Sequence, residues 1–190
     1  AGPTGLSGLA RFPFQPYFWP MLIAQACAGD IPALESLLNS AYRGEESRKG
    51  WTTEADLIPG ETRSNAGEIE SLIWREDSAF LKYINDEQQL IGCVNLQQHG
   101  HKIYLGMFSV SPQLQGGGIG KAILGAAEEY ALERRCTHIY MTVIALRKEL
   151  VAWYMRHGYR DTGERKKLIE EEGTQRLELE MLVLEKELGG

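Results

Sequence analysis

Apolar and polar positions along the chain alternate between two rhythms, and each change of rhythm marks an element. The run MLIAQA (Met21–Ala26) is short and apolar and predicts a strand. Asp30, then Pro32, then Leu34, Leu37, Leu38 and Ala41 give an N-cap, a proline in the first turn and an apolar stripe at helical spacing. Arg43 to Asn65 breaks that rhythm: it is polar, carries Trp51 and contains Pro59-Gly60, so it predicts a loop with at most a short helical turn. In GEIESLIWRE (Gly67–Glu76), Ile69, Leu72 and Ile73 predict a second helix. AFLKYIND (Ala79–Asp86), QLIGCVNLQQ (Gln89–Gln98) and KIYLGMFSV (Lys102–Val110) predict three strands in an antiparallel meander. After a glycine-rich stretch, Ile119, Ala122, Ile123, Ala126, Ala127, Tyr130 and Ala131 share one helical face. HIYMTV (His138–Val143) predicts a strand, and RKELVAWYMRHG (Arg147–Gly158) a helix stopped by Gly158. A closing hairpin turns at EEEGT, with Leu177, Leu179, Met181 and Val183 alternating along its second arm.

The order is β-α-α-β-β-β-α-β-α-β-β: an α/β single domain with a mixed central sheet and helices on both faces. At 190 residues and 43% hydrophobic, the chain can bury a core of that size without disulfides. A formal charge of −6 gives no global field to attract nucleic acid or anionic lipid, and no apolar run is long enough to span a bilayer. Cys27, Cys93 and Cys136 are odd in number and widely spaced, so neither a disulfide framework nor a zinc site is suggested, and a cytoplasmic setting is expected. Residues 1–20 differ from the rest. Their glycines, prolines and interrupted aromatics lack the pattern of a secretory signal. They are read as an appendage, tag-derived or a native arm, with the domain covering residues 21–190.

The candidate chemistry lies in FSVSPQLQGGGIGKAIL (Phe108–Leu124), where four glycines occupy five positions between a strand and a helix. Glycine costs entropy, but it removes the side chains that would keep a bulky anion from bare helix N–H groups. A tight connection needing positive φ is the simpler alternative. The P-loop pattern fails, because Gln115 stands where its first glycine belongs and Ala122 where Ser or Thr belongs. The dinucleotide fingerprint meets Lys121 or Ile123 in place of its last glycine. What fits is Q/R-x-x-G-x-G/A, as Gln115-Gly116-Gly117-Gly118-Ile119-Gly120 after a strand end. In this the chain resembles the GNAT-type N-acetyltransferases. LVAWYMRHGYRDTGE (Leu150–Glu164) is similar to the helix–Tyr–Gly–Phe/Tyr segment that the family carries after its next strand.

The resemblance implies an acetyl-CoA cleft where two parallel strands splay apart. Phe108, Ser109 and Val110 would pair with the pantetheine arm. The pyrophosphate would sit on the N–H groups of Gln115, Gly116, Gly117, Gly118, Ile119, Gly120 and Lys121. Tyr154 matches the family's tyrosine acid, which protonates the departing thiolate; packing alone is the competing account of its place beside Leu150 and Val151. Arg147 stands where many members have asparagine, and a contact to CoA phosphate or a solvated helix start would each explain it. Family members are often dimers, so a homodimer is an expectation by analogy.

The acceptor implied is a primary amine of a small molecule or peptide. A lysine-like amine is deprotonated in only about one part in a thousand near neutral pH, so a proton relay would help. Tyr104, Glu45, Glu46 and the hairpin carboxylates are candidates, none singled out. Ala41–Glu61 lies where the family binds acceptors, and Arg43, Glu46, Arg48 and Trp51 are the candidate lining, against a plain solvated loop. His99 and His101 read as a turn rather than a metal pair. Cys136 reads as a small buried residue, and Trp74 and Trp153 as helix packing. The alternatives are a non-catalytic acyl-CoA-binding module on the same fold and, weaker, a GTP- or dinucleotide-binding protein.

Overall fold

A computed structural model describes residues 22–50, 53–58, 60, 62–172 and 175–189. The chain runs β1 (Leu22–Gln25), α1 (Ile31–Tyr42), α2 (Gly44–Ser47), α3 (Ala66–Ile73), β2 (Ser78–Ile84), β3 (Leu90–His99), β4 (Lys102–Val110), α4 (Ile119–Glu133), β5 (His138–Ile144), α5 (Lys148–Arg156), β6 (Arg160–Glu172) and β7 (Gln175–Glu187). The seven strands form one sheet in the order β1-β2-β3-β4-β5-β7-β6. Every pairing is antiparallel except β4 with β5. This is the mixed α/β sheet expected from the pattern. The additional α2 is the short helical turn within the polar segment. The expected appendage and the start of the domain at Met21 lie outside the described residues.

The two faces of the sheet are sorted by strand alternation. Leu81, Tyr83, Val94, Leu96, Ile103 and Leu105 meet α4, whose Ile119, Ile123, Leu124, Ala127 and Ala131 are buried. Phe80, Cys93 and Met107 turn to the opposite face and meet Leu34, Leu38 and Ala41 of α1 and Ile69 of α3. At Gly92 an added Cβ would stand 2.5 Å from the Ile123 side chain, so the approach of α4 to β3 depends on glycine there.

The polar segment between α1 and α3 is tied down at several points. Asn39 Oδ1 accepts from the N–H groups of Arg63 and Ser64 at 2.6 and 3.1 Å. The Glu54 N–H donates to the Tyr42 carbonyl at 2.9 Å. Ile58 is buried against Ile144 and Leu179, which docks this segment on β5 and the closing hairpin. One packing expectation fails. Trp74 caps the C-terminal end of α3 and is 70% exposed, because the helix ends before its ring can reach the core.

Candidate active site

The parallel pair β4·β5 is registered over only Lys102↔His138, Ile103↔Ile139 and Tyr104↔Tyr140. Two features pull the strands apart beyond that point. The register of β4 against β3 slips between Cys93↔Ser109 and Asn95↔Gly106, leaving an extra residue on β4, and Met107 takes φ 48°. A bulge of this kind bends its strand and raises the local twist. Meanwhile β5 stays paired with β7 as far as Ile144↔Met181. The result is a wedge, with the last residues of β4 on its edge. The bulge is held from the α1 side: Tyr42 donates its hydroxyl proton to the Phe108 carbonyl at 2.6 Å.

Two cavities open from the wedge and share Phe108 and Leu150 as a common wall. The first, of about 250 Å³, is lined by Val110, Leu114, the Gln115–Lys121 turn apart from Gly117, Trp153 and His157. Gly118 is the N-cap of α4 in the left-handed region, at φ 83°, and among the described residues no side chain caps the helix. Gly116 also has positive φ, at 91°. A Cβ added to either would meet nothing within 4 Å, so these glycines line open space. The Gln115 side chain is turned inward and donates to the Val110 carbonyl at 3.1 Å, joining the turn to the strand end. The uncapped N–H groups of α4 and the positive end of its dipole thus face a side-chain-free opening.

The second cavity, about 230 Å³, is polar. Tyr42, Arg43, Glu54, Arg63, Tyr104, Thr142, Arg147 and Tyr154 are on its walls. Glu54 is the hub: Arg43, Arg63 and Arg147 approach its carboxylate at 3.6, 3.8 and 3.4 Å. The Tyr104 hydroxyl lies 3.2 Å from Thr142 Oγ1, across the mouth of the wedge. Burial pushes Tyr42 up to about 12, with the Glu54 carboxylate adding to the rise and Arg147 and Arg63 opposing it. Burial raises Tyr154 above the usual tyrosine range, reinforced by Tyr42 and opposed by Arg147. Both phenols therefore hold their protons at neutral pH. The Tyr154 ring packs edge-on against Trp153 and Tyr159, with centroids 5.1 and 5.8 Å away.

Residues 32–159 match the model of the acetyltransferase (GNAT) family, more than half of the chain. This chain belongs to the GNAT acetyltransferases. Among solved structures it is similar to the ribosomal-protein-S18-alanine N-acetyltransferase of Escherichia coli, with 14% identity, 90% of this chain and 95% of that one covered, and a TM-score of 0.68. The ribosomal-protein-alanine N-acetyltransferase of Brucella melitensis is 22% identical, with coverage of 88% and 99% and a TM-score of 0.66. The PaiA N-acetyltransferase of Thermoplasma acidophilum, solved with coenzyme A, is 17% identical, with coverage of 88% and 98% and a TM-score of 0.63. No curated protein matches the chain.

As a GNAT acetyltransferase the protein uses acetyl-CoA, and the residues present fit that cosubstrate. An uncapped helix N-terminus behind two positive-φ glycines suits a diphosphate, and the apolar walls beside it suit a slender arm. Of the residues expected at the cofactor, Phe108, Val110, Gln115, Gly116, Gly118, Ile119, Gly120 and Lys121 line the first cavity. Ser109 points to the other face and is fully buried, and Gly117 lies in the same turn without lining the cavity. Arg147 is not with them: it lies in the polar cavity beside Glu54. Of the acceptor candidates, Arg43 and Tyr104 line that cavity. Glu46 is on the surface, paired with Lys49 at 2.7 Å and accepting from Gln113 at 2.9 Å, so it does not face the wedge. Trp51 lies outside the described residues.

Sequence reasoning missed Glu54, Arg63, Tyr42 and the cavity-lining part of Trp153. The only signal for Trp153 was spacing: it shares a helical face with Leu150 and His157, which flank the same cavity. Glu54 and Arg63 carry no signal of their own. They reach the wedge through the anchoring of the polar segment by Asn39 and Ile58.

Proposed function

We propose that this acetyltransferase transfers acetyl from acetyl-CoA to a primary amine of a small molecule or peptide by direct attack at the mouth of the wedge. The observation that carries the reading is the early end of the β4·β5 pairing, with a side-chain-free glycine turn on one side and a polar, tyrosine-lined cavity on the other. Acetyl-CoA supplies a thioester whose carbonyl carbon is the electrophile.

The N–H groups of the Gln115–Lys121 turn would hold the diphosphate. The β5-facing edge of β4 at Phe108–Val110, which pairs with no strand among the described residues, would pair with the pantetheine arm and direct a backbone N–H toward the thioester oxygen. Tyr154 keeps its proton because it is buried, and it gives that proton to the departing thiolate sulfur. The attacking amine loses a proton in exchange, which restores the phenol through the polar cavity. Tyr104 and Thr142 provide hydroxyls on that route. Two buried thiols, Cys93 and Cys136, suit a reducing, cytoplasmic setting.

Isothermal titration with acetyl-CoA, GTP and NAD, followed by CoA release over an amine panel, tests this reading. Binding of acetyl-CoA alone, with amine-dependent release, is expected. Binding without turnover would transfer support to an acyl-CoA-binding module. Absence of acetyl-CoA binding would overturn the reading of the wedge.

A further inference from the structure

The charge in the polar cavity is unbalanced. Three guanidinium groups, from Arg43, Arg63 and Arg147, converge on one carboxylate, Glu54, and no other acidic residue lines the cavity among the described residues. The lining therefore carries a formal excess of two positive charges. The contacts of 3.4–3.8 Å are long beside the ~2.7–2.9 Å of a tight charge-assisted hydrogen bond, so Glu54 is shared among its partners rather than saturating any one.

Arg147 makes the imbalance specific. Its side chain is 9% exposed, and its Nη2 is buried with no hydrogen-bond partner among the described residues. A buried guanidinium N–H without an acceptor is costly, and few native groups are left so. It belongs to the cavity that Tyr154 also lines, one wall away from the apolar cavity at the glycine turn. An oxygen anion entering the polar cavity would meet the positive excess, and a small shift of the Arg147 side chain would bring this unpaired donor to it.

We infer that the acceptor is a small amine that also carries a carboxylate, an amino acid in the broad sense, with Arg147 binding the carboxylate and Arg63 assisting at the rim. This rests on the acetyltransferase reading above and narrows its acceptor. The arginine fork recognises a carboxylate by two parallel N–H contacts, and holding that end leaves the amine to face the wedge. The same field disfavours polycationic amines, which would bring like charge to three arginines. A cavity of about 230 Å³ has room for a free amino acid. Arg147 and Arg63 are thus specificity residues of the acceptor site, and Arg147 is displaced from the cofactor role expected of its position.

The test is a matched panel: amino acids, their primary amides, the corresponding decarboxylated amines, and a polyamine. CoA release is measured for each, and thermal protection by the N-acetyl acids is compared with protection by their N-acetyl amides. Carboxylates should exceed their amides in kcat/KM by about tenfold to a hundredfold, as expected for hydrogen bonds to a charged group. Only the N-acetyl acids should protect. Arg147→Gln should abolish the preference while leaving the KM for acetyl-CoA unchanged. Arg63→Gln, at a more exposed side chain, should weaken the preference without endangering the fold. Equal use of acids and amides, a polyamine preference, or no protection by any N-acetyl acid would overturn the inference while acetyl-CoA binding upheld the acetyltransferase. A raised acetyl-CoA KM in Arg147→Gln, equal for all acceptors, would return that residue to the cosubstrate and overturn it too. Loss of acetyl-CoA binding by the wild-type protein would overturn both readings at once.

Discussion

Replacing Tyr154 by Phe removes one oxygen from the wall of the polar cavity and leaves the ring. The ring packs 6.1 Å from Phe108, 5.1 Å from Trp153 and 5.8 Å from Tyr159, and these contacts survive the substitution. Among the described residues no hydrogen bond ties its hydroxyl to the fold, so stability should change by less than about 1 kcal/mol. A group that only packs would show nothing more. A proton donor to the thiolate contributes about 10²-fold or more, equivalent to about 2.7 kcal/mol of transition-state stabilisation. The expected result is therefore a fall of about a hundredfold in kcat, an unchanged Kd for acetyl-CoA and an unchanged melting temperature. Steady-state CoA release, titration calorimetry and thermal denaturation read the three quantities separately. Burial and the Tyr42 phenol hold Tyr154 above the ordinary tyrosine range despite Arg147, so its deprotonation should add no alkaline limb to kcat below about pH 9. A kcat within threefold of wild type, on saturating acetyl-CoA, would refute the acid role and leave Tyr154 as packing.

Two further outcomes follow from the fold. Gly118→Ala places a Cβ at φ 83° where nothing blocks it, so only backbone strain applies; a loss of about 1–2 kcal/mol in urea denaturation and weaker acetyl-CoA binding by calorimetry are expected. Asp30 is partly desolvated, which raises its pKa, but hydrogen bonds from Lys82 at 2.7 Å and from the Cys27 N–H outweigh that and lower it below the usual carboxylate range. A depressed folded pKa means stability that is present above about pH 4 and lost as the pH falls through the folded value. Melting temperatures from pH 6 to 2.5 should fall less steeply in Asp30→Asn than in wild type; parallel curves would show that the pair contributes nothing to acid stability.

Much of the fold is legible locally because its elements repeat a simple period. The buried face of α4 is the stripe Ile119, Ile123, Ala127 and Ala131, and the strands of the meander alternate between two cores. Trp74 is the exception that shows the limit: its spacing fits a helix face, but the helix ends beneath it and the ring is left in solvent. Polar contacts between distant segments have no such period. Glu46 and Glu54 look alike in sequence and lie in the same polar segment after α1, yet only Glu54 is drawn inward.

The primary structure by itself determined the order of elements, the sheet class, the glycine turn and the family, because hydrophobic period and glycine clustering are properties of neighbouring residues. Only the tertiary structure decided where the wedge opens, through a bulge at Met107 and the competing pairing of β5 with β7. It alone gathered Arg43, Arg63 and Arg147 around Glu54. Arg43, Glu54 and Arg63 are spread along one polar segment and Arg147 follows β5, so their meeting depends on how Ile58 and Asn39 dock that segment. Charge complementarity at a site is a sum over such long-range placements, and no local pattern encodes it.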